Sequence, residues 1–329
     1  MRSAIYLTTL CVILSTALCT LAEEAKRPWI EQVSWKPRAY LYHNFLSEEE
    51  ADHIVELATP RIRRSSVVSE KGSVGTDEIR TSYGTFLRPG EDEIIEHIEN
   101  RVAKWTHLPV SNFENMQVLK YVDGQKYGAH WDEINPVDHP KGLANSSLRV
   151  ATVLMYLSDV EYGGETAFPH SQWLDAARQN RTEFSPCARD GVAALARKGD
   201  AIMFHDMKPS YRELDLHSMH TGCPVLRGEK WSATFWIHGD DFRSRNSLAG
   251  AKALTPEEVA ARACRDHDRE CPAMVSRAGG CKDEDVKAIC QRTCESCCHA
   301  GDVLCQRQRR GELNKALKDH GHHLAHSTV

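Results

Sequence analysis

The chain has 329 residues, and its 41 basic and 46 acidic side chains give a formal net charge of −5 with histidine neutral. This near balance argues against a nucleic-acid-binding protein, because such proteins present a basic face or stripe. A hydrophobic content of 41% excludes disorder over the whole chain and is enough for a sizeable core. The length predicts about two domains.

An uncharged, apolar run occupies residues 4–22 and is followed by a charged segment, 23–27. Such a run directs a chain into the secretory pathway, either as a cleaved signal peptide or as an uncleaved anchor. We therefore expect residues 1–22 to be a signal peptide or signal anchor. The rest would lie in the lumen of the endoplasmic reticulum or Golgi, as a single-pass type II membrane protein if the anchor stays. Asn145 and Asn180 begin N-glycosylation triplets that fit this compartment.

Two amphipathic helices precede a strand-rich region. The first begins at a capping box on Ser47 and ends at Pro60, and the second covers residues 91–105. A polar, patternless stretch between them, 65–80, is predicted to be a mobile loop over a site. The β-rich stretches that follow are 116–122, 148–157, 201–204 and 231–237. Helices followed by short strands predict an α+β fold, with a sheet sandwich or barrel flanked by helices.

His130 and Asp132 are two residues apart, so on a strand their side chains would share one face. Together they offer two of the three ligands of the two-histidine, one-carboxylate triad that holds non-haem Fe(II). A lone His-x-Asp pair is a weak signal, and His238-x-Asp240 is a second copy. We interpret that copy as a turn at the end of a strand, because only a linker and a cysteine-rich segment follow it.

A further histidine and a cation follow downstream. His220 precedes Lys230 by ten residues across a Gly/Pro turn. The strand that begins at Lys230 is predicted to place Ser232, Thr234 and Trp236 on the same face as the lysine. Burial of a lysine is costly unless an anion meets it, which favours an anion site. The alternative is a lysine that snorkels to solvent from the end of the strand.

Taken in order, these segments resemble the secreted prolyl 4-hydroxylases of plants and green algae, within the Fe(II)/2-oxoglutarate dioxygenases. The resemblance covers about residues 35–238. It implies a double-stranded β-helix, or jelly roll, with the iron inside its mouth. The matching motifs are Gln117-Val-Leu-Lys-Tyr121, Gly124-Gln-Lys-Tyr127, His130-x-Asp132, the run 149–159, Gly163-Gly-Glu-Thr-Ala-Phe-Pro169, Lys198-Gly-Asp-Ala201, and the segment 218–231.

The resemblance implies an iron ligand set of His130, Asp132 and His220. His217 competes with His220 for the third position. Only His220 has the Gly222-x-Pro224 setting of the family motif. We therefore expect His220 to be the ligand.

Other roles are also implied by the resemblance. Lys230 would pair with the C5 carboxylate of 2-oxoglutarate, helped by the hydroxyls of Tyr121 and Thr166. Trp236 would lie near the active site, and Arg149 would face the peptide substrate. Alternatives stay open for four of these residues: Tyr121 and Trp236 as core aromatics, Thr166 as a turn hydroxyl and Arg149 as half of a strand ion pair.

The implied activity is hydroxylation of peptidyl proline to 4-hydroxyproline in proline-rich secretory proteins, the reaction of procollagen-proline 4-dioxygenases. Fe(II), 2-oxoglutarate and O2 would be used, with release of succinate and CO2, and L-ascorbate would rescue oxidised iron. The expected partner is a proline-rich peptide or protein, and no nucleic acid is expected. Contact with a membrane is expected only through the N-terminal segment. The oligomeric state is left open. Two alternatives remain: a dioxygenase that acts on another residue, such as lysine, and a metal-bearing jelly roll that only binds an extracellular partner.

The cysteines predict disulfides. Eight of the 12 lie between residues 264 and 305, a density that favours a disulfide framework over a zinc site. Six of them resemble the ShKT toxin-like module, which implies the pairs Cys264–Cys297, Cys271–Cys290 and Cys281–Cys294. Cys298 and Cys305 would pair with each other or stay free. Cys187 and Cys223 are expected to form a disulfide within the catalytic domain.

These observations predict a catalytic domain at 23–243, a linker at 244–263, a ShKT-like module at 264–298 and a tail at 299–329. The His-rich end of the tail is expected to be solvated. The linker is polar and rich in small residues, and the module has its own disulfides. We therefore expect a chain that ends near residue 251 to fold and to act on short peptides without the module.

Overall fold

The structure is a computed structural model. It describes the following residues: 27–65, 67–68, 74–75, 81–132, 148–178, 181–211, 214–247, 257, 264, 266, 271–277, 279–299, 302, 305, 308, 309, 312, 313, 315 and 316. Across these ranges, no helix is long and apolar enough to cross a membrane. The apolar N-terminal run, both glycosylation acceptors and the His-rich end of the tail lie outside the described residues.

Both predicted helices are present. Helix α1, Glu48–Ala58, begins at the predicted capping box: Ser47 Oγ accepts from the Glu50 backbone N–H at 3.1 Å, and the Glu50 carboxylate accepts from the Ser47 N–H at 2.9 Å. Pro60 follows in a single 3₁₀ turn, as expected of a residue that cannot continue the helix. Helix α2, Glu93–Thr106, begins two residues later than predicted, because the Asp92 side chain caps it.

Two antiparallel sheets form the core. The major sheet has the order β1-β2-β13-β9-β16-β7-β6-β3, and the minor sheet has the order β12-β11-β14-β8. Two small pairs, β4-β5 and β10-β15, are also present among the described residues. The strands are β1 Trp29–Trp35, β2 Arg38–His43, β3 Arg63–Arg64, β4 Val67–Val68, β5 Val74–Gly75, β6 Tyr83–Phe86, β7 Gln117–Tyr121, β8 Tyr127–His130, β9 Arg149–Tyr156, β10 Tyr162–Gly163, β11 Thr166–Phe168, β12 Val192–Ala194, β13 Ala201–His205, β14 His220–Gly222, β15 Val225–Arg227 and β16 Lys230–His238.

One face of the major sheet packs against the main hydrophobic core, and the other face lines a cavity. On β16, alternate residues from Trp231 to Ile237 join the main hydrophobic core, to which α1 and α2 also contribute. The other alternate residues, from Lys230 to Trp236, line a cavity between the two sheets. The predicted alternation is therefore confirmed, as is the α+β class with opposed antiparallel sheets and flanking helices. The cavity lies where a site can be built from both sheets.

The stretch 65–80 is more regular than the sequence suggests. Strands β4 and β5 lie within it and pair antiparallel, with Val67 opposite Gly75 and Val68 opposite Val74. The description of this stretch as patternless is therefore wrong for these four positions. Short segments that contain valine can pair locally even without a longer alternating pattern.

A short helix lies at the predicted boundary between the catalytic domain and the linker. Helix α3, Phe242–Ser247, includes residues 244–247, the first residues of the predicted linker. Arg243 anchors this helix to the catalytic domain: its Nη2 donates to Glu99 Oε1 at 2.7 Å and its Nε donates to the Phe113 carbonyl at 3.2 Å. Arg243 is the last residue of the predicted catalytic domain, and these contacts tie it to the rest of that domain. The boundary with the linker stays a prediction.

Replacement of Arg243 by alanine is expected to destabilise the fold by about 2–3 kcal/mol. Glu99 is 3% exposed, so the substitution would leave a buried carboxylate without its ion partner. The matched control is Arg227→Ala, because the Arg227–Glu161 pair is more than half exposed. Such surface pairs contribute about 0–1 kcal/mol. Urea unfolding of both variants measures the difference; equal midpoints would contradict the anchoring role of Arg243.

The cysteine-rich module (residues 264–298) contains two short helices, α4 at Cys271–Val275 and α5 at Glu284–Ile289. Its disulfides follow the pairing implied by the resemblance. A further disulfide joins two cysteines whose partner was left open, and another lies in the catalytic domain as expected. The pairs are Cys264–Cys297, Cys271–Cys290, Cys281–Cys294, Cys298–Cys305 and Cys187–Cys223.

The module and the catalytic domain share a hydrophobic cluster. Residues of the catalytic domain, of α4 and α5, and of the predicted tail are buried together in it. The two halves therefore share part of their core, and Leu313 and Ala316 of the predicted tail belong to it. That a chain ending near residue 251 folds and acts on short peptides stays a prediction. The buried members are Trp131, Leu214, Met219, Cys271, Ala288, Ile289, Cys290, Leu313 and Ala316. The spacing of six cysteines indicates the disulfide bonds within a small module, but it does not indicate the surface on which the module packs.

Candidate active site

Three potential metal ligands converge in the cavity. Strand β14 pairs with β8 in a register that places His220 opposite His130. His130 Nε2 lies 3.5 Å from Asp132 Oδ1, and His220 Nε2 lies 3.6 Å from Asp132 Oδ2. In the part of the chain that the structure describes, these three side chains form the group whose ligand atoms, all within 4.8 Å of one another, are placed to hold a metal ion.

Backbone carbonyls orient both imidazoles. His130 Nδ1 donates to the Gly128 carbonyl at 2.8 Å, and His220 Nδ1 donates to the Ser218 carbonyl at 2.9 Å. Because a carbonyl only accepts, each Nδ1 carries a proton and each Nε2 keeps a lone pair when the ring is neutral. This is the tautomer that binds a metal through Nε2, and such outer hydrogen bonds fix the direction of the ring.

The protonation states suit metal binding. Burial lowers the pKa of His220 to about 4, so this ring is neutral at neutral pH. Burial raises the pKa of Asp132, but the neighbouring His220 and His130 outweigh it and hold that pKa below its ordinary value. The carboxylate is therefore ionised. Two imidazoles and one carboxylate form the donor set of the facial triad.

His217 lies outside this group. Its Nδ1 is 3.2 Å from Asp215 Oδ1, in the 3₁₀ turn that precedes β14. The structure therefore brings His220, and not His217, to His130 and Asp132.

A second buried carboxyl supports Asp132. Thr152 Oγ1 donates to Asp132 Oδ2 at 2.8 Å and lies 3.1 Å from Asp206 Oδ2. Burial raises the pKa of Asp206 well above its ordinary value, and the charge of Asp132 raises it further. Asp206 thus keeps its proton at pH values where Asp132 is ionised. This contact could not be predicted from the sequence, because Thr152 lies on β9, Asp206 directly follows β13, and together they form no motif.

Lys230 begins β16 and lines the same cavity with a side chain only 3% exposed. Its Nζ lies 5.6 Å from the ring centre of Tyr121 and 5.5 Å from that of Tyr156. Burial lowers the pKa of Lys230 to about 8, and Glu165 opposes this shift only in part. The snorkelling alternative is wrong, because the ammonium does not reach solvent. A buried cation of this kind is suited to pair with an anion in the cavity.

Three more of the predicted residues line the cavity. Tyr121, Thr166 and Trp236 all contribute to its wall. Thr166 Oγ1 and Trp236 Nε1 are buried and have no hydrogen-bond partner within the described ranges. Buried polar atoms without a partner are rare in proteins and mark places where a ligand or water fits. The cavity therefore offers an unpaired donor at Trp236 and a hydroxyl at Thr166 beside the Lys230 cation.

Arg149 is engaged in an ion pair. Its Nε and Nη2 donate to the two carboxylate oxygens of Glu114, at 2.5 and 3.0 Å, and its Nη1 donates to the Asp132 carbonyl at 3.2 Å. The guanidinium carbon lies 4.0 Å from the ring centre of Trp236. This geometry matches the strand ion-pair alternative. A role of Arg149 towards the substrate stays a prediction.

His238 belongs to the same network. It ends β16, is fully buried, and its Nε2 lies 2.8 Å from Glu114 Oε1. Burial raises the pKa of Glu114, but Arg149 and His238 lower it below its ordinary value. The interpretation of His238 as a turn residue placed it correctly at the end of the strand but missed its buried partner. Glu114 had no sequence signal, since it is one acidic residue in an irregular segment.

The comparisons with known proteins agree with this site. Residues 116–238 match the model of the 2OG-Fe(II) oxygenase superfamily, a range that includes all three converging ligands and Lys230. The fold and the site thus define an oxygenase of the 2-oxoglutarate and Fe(II) class.

Relatives among the curated proteins give the family. Prolyl 4-hydroxylase 5 of Arabidopsis thaliana is 47% identical over 216 residues, which cover 65% of this chain and 73% of that protein. Prolyl 4-hydroxylase 2 of the same plant is 36% identical over 307 residues, covering 89% and 97% respectively. The chain belongs to the prolyl 4-hydroxylase family. A solved viral collagen prolyl hydroxylase from Paramecium Bursaria Chlorella virus-1, in complex with 2OG, is 27% identical with a TM-score of 0.43, over 60% of this chain and 94% of that one.

Proposed function

We propose that this chain hydroxylates peptidyl proline to 4-hydroxyproline in proline-rich proteins of the secretory pathway, as a dioxygenase of the procollagen-proline type. The observation that carries the proposal is the meeting of His130, Asp132 and His220 in one cavity with the buried ammonium of Lys230. A triad alone fits several metals. A triad with a buried cation in the same cavity fits iron together with a dicarboxylate, and the family membership points to proline.

The residues present fit Fe(II). The donor set has two nitrogens and one carboxylate oxygen, and both Nδ1 protons are held by carbonyls, so each Nε2 is available. His130, Asp132 and His220 would hold the ion. Thr152 would keep Asp132 oriented through its hydrogen bond to Oδ2.

The residues also fit 2-oxoglutarate. Lys230 would pair with the C5 carboxylate. Burial lowers the pKa of Lys230, and the negative charge of the bound carboxylate would raise it again. The Thr166 hydroxyl and the Tyr121 phenol lie on the same cavity wall and would complete the carboxylate contacts. Trp236 Nε1 offers one further buried donor.

When bound, Fe(II) and 2-oxoglutarate supply the oxidising power, by which O2 and 2-oxoglutarate yield succinate, CO2 and one hydroxyl group on proline. The chain binds and orients the participants. Opposed sheets keep water away from the buried part of the cavity, and Lys230 holds the far end of the dicarboxylate. L-ascorbate is proposed as the reductant that rescues oxidised iron.

The function is tested with the full chain, a proline-rich peptide, Fe(II), 2-oxoglutarate and ascorbate. Succinate release that depends on the peptide, with one added oxygen on a proline by mass spectrometry, supports the proposal. Matched peptides carry alanine or lysine in place of the modified proline. Oxygen added to lysine would show a dioxygenase with another target, and no turnover of any peptide despite metal binding would indicate a binding module.

The affinity for 2-oxoglutarate is expected to fall as the pH rises through about 8. Burial lowers the pKa of Lys230 to about 8 in the ligand-free protein, so the lysine is cationic below this pH and loses its proton above it. Each pH unit above 8 should then weaken binding up to roughly tenfold. Anaerobic titration between about pH 6.5 and pH 9.5 measures this. The control is Lys230→Arg, whose charge persists; a wild-type curve as flat as that of the arginine variant would contradict the assignment.

We also propose that the protein resides in the endoplasmic reticulum or Golgi lumen, with residues 1–22 as a signal peptide or a type II anchor. The disulfides support this placement, since they form in oxidising compartments. Glycosylation at Asn145 and Asn180 would accompany it. Alkaline extraction of membranes separates the two states of the N-terminal run: an anchored chain stays in the membrane pellet, and a cleaved one is released.

A further inference from the structure

Each segment that carries the proposed metal ligands also has a side chain that points away from the cavity. Trp131 lies between His130 and Asp132, and Met219 directly precedes His220. Successive side chains of an extended segment point to opposite faces. Trp131 and Met219 are 9% and 3% exposed, and neither lines the cavity. Something other than the cavity wall therefore buries them.

These two side chains share a buried cluster with residues of the cysteine-rich module and of the chain that follows it. Trp131 and Met219 share one cluster with Ile289 of α5 and with the Cys271–Cys290 disulfide. Within the catalytic domain, Trp131 Nε1 donates to the Leu216 carbonyl at 3.1 Å, which ties together the two segments that carry the ligands. The cluster thus lies directly behind the proposed metal site.

The position of β8 explains why support is needed. The order of the minor sheet places β8 at its edge, so it is hydrogen-bonded to β14 and has no strand on its other side among the described residues. Two of the three proposed ligands lie on or just after this edge strand. An edge strand is held by one ladder, so the position of its side chains depends more strongly on the packing behind it.

The module can provide a stiff surface for this packing. Cys271 and Cys290 are fully buried and bonded to each other, and Ile289 is 1% exposed next to them. Cys294 also packs against the cluster and is bonded to Cys281. Covalent links at the back of the cluster limit how far its surface can yield.

We propose that the cysteine-rich module is a built-in support of the metal site. By packing on Trp131 and Met219, it holds the segments of His130, Asp132 and His220 at the spacing that the ion requires. The inference rests on the proposed metal site and goes beyond it, because it assigns the module a positioning role. Among the described residues, those that line the cavity lie between Gln117 and Trp236, and none belongs to the module. The proposed role of the module is therefore support through packing and not contact with the reacting groups.

The test compares two isoleucine-to-alanine substitutions in the full chain, each of which removes the same side-chain atoms. Ile289→Ala removes packing behind the metal site. Ile98→Ala removes the same atoms from an equally buried position on α2, in the main core. The readout is the dissociation constant of Co(II), followed by anaerobic absorption titration. Ile289→Ala should weaken Co(II) binding roughly tenfold, the effect typical of lost outer support of metal ligands, and Ile98→Ala should change it less than about twofold.

The outcomes separate this inference from the function on which it rests. Unchanged Co(II) affinity in folded Ile289→Ala, or equal weakening in both variants, overturns the support role and leaves the metal site standing. A wild-type chain that binds no Co(II) rejects the metal site, and the support role with it. If Ile289→Ala does not fold, the same comparison is made with Ile289→Val and Ile98→Val, which remove a single methylene group each.

Discussion

Replacement of His220 by alanine is expected to lower turnover by more than about 100-fold. Loss of an outer partner of a metal ligand already costs about 10–100-fold in affinity or activity, and His220 is proposed to bind the ion itself. The fold should survive, because the truncation removes a ring whose hydrogen bond is to one backbone carbonyl. Succinate release and Co(II) titration measure the two effects, and circular dichroism reports the fold.

The matched control is His217→Ala, three residues earlier in the sequence. His217 pairs with Asp215 and lies outside the group of potential ligands. It should retain near-wild-type turnover. Near-wild-type activity in His220→Ala together with a loss in His217→Ala would reverse the ligand assignment.

Replacement of Lys230 by methionine is expected to raise the 2-oxoglutarate requirement by about 10–100-fold, with little change in the peptide requirement. A charge-assisted hydrogen bond of the kind proposed contributes about 1.5–3 kcal/mol. The unliganded fold should be no less stable than the wild type, because burial of the ammonium is itself costly, as its lowered pKa shows. The measurements are saturation curves for 2-oxoglutarate and for the peptide, together with thermal unfolding.

Lys120→Met provides the control for Lys230. Lys120 lies on β7 opposite Trp231, next to Tyr121, the strand partner of Lys230. Its Nζ lies 2.7 Å from Glu229 Oε2, and Lys120 does not line the cavity among the described residues. This variant should leave the 2-oxoglutarate curve unchanged. If Lys230→Met raises the peptide requirement instead, Lys230 faces the substrate and the dicarboxylate assignment is wrong.

Local periodicity predicted much of the fold because the signals lie within single elements. The capping box of Ser47 and the alternation along β16 are decided by neighbours in sequence, and both are present in the structure. The grouping of His130, Asp132 and His220 was expected from the motif resemblance, and the direct pairing of β8 with β14 provides its geometry. Proximity in sequence was sufficient for the cap and the alternation, while the ligand group was expected from the resemblance.

Contacts across the chain were not predictable in the same way. Thr152 and Asp206 meet Asp132 only because three separate segments converge. Arg243 stands at the predicted end of the catalytic domain, and its partner Glu99 lies on α2, 144 residues away. The packing of the cysteine-rich module was not predictable for a similar reason: cysteine spacing describes the disulfides within a module, while Trp131 and Met219 lie far from the module in the sequence.

The pairing of His130 with His220 also affects when the metal can be bound. These ladder partners are 90 positions apart in the sequence. Contacts of such long separation form late in folding, because the intervening chain must first be ordered. A chain synthesised from its N-terminus cannot close this strand pair before β14 has been made, nor the cluster behind it before Ala316 has been made. Iron loading at the proposed site would therefore follow the synthesis of β14, and a nascent chain stalled before His220 would not yet carry all three proposed ligands.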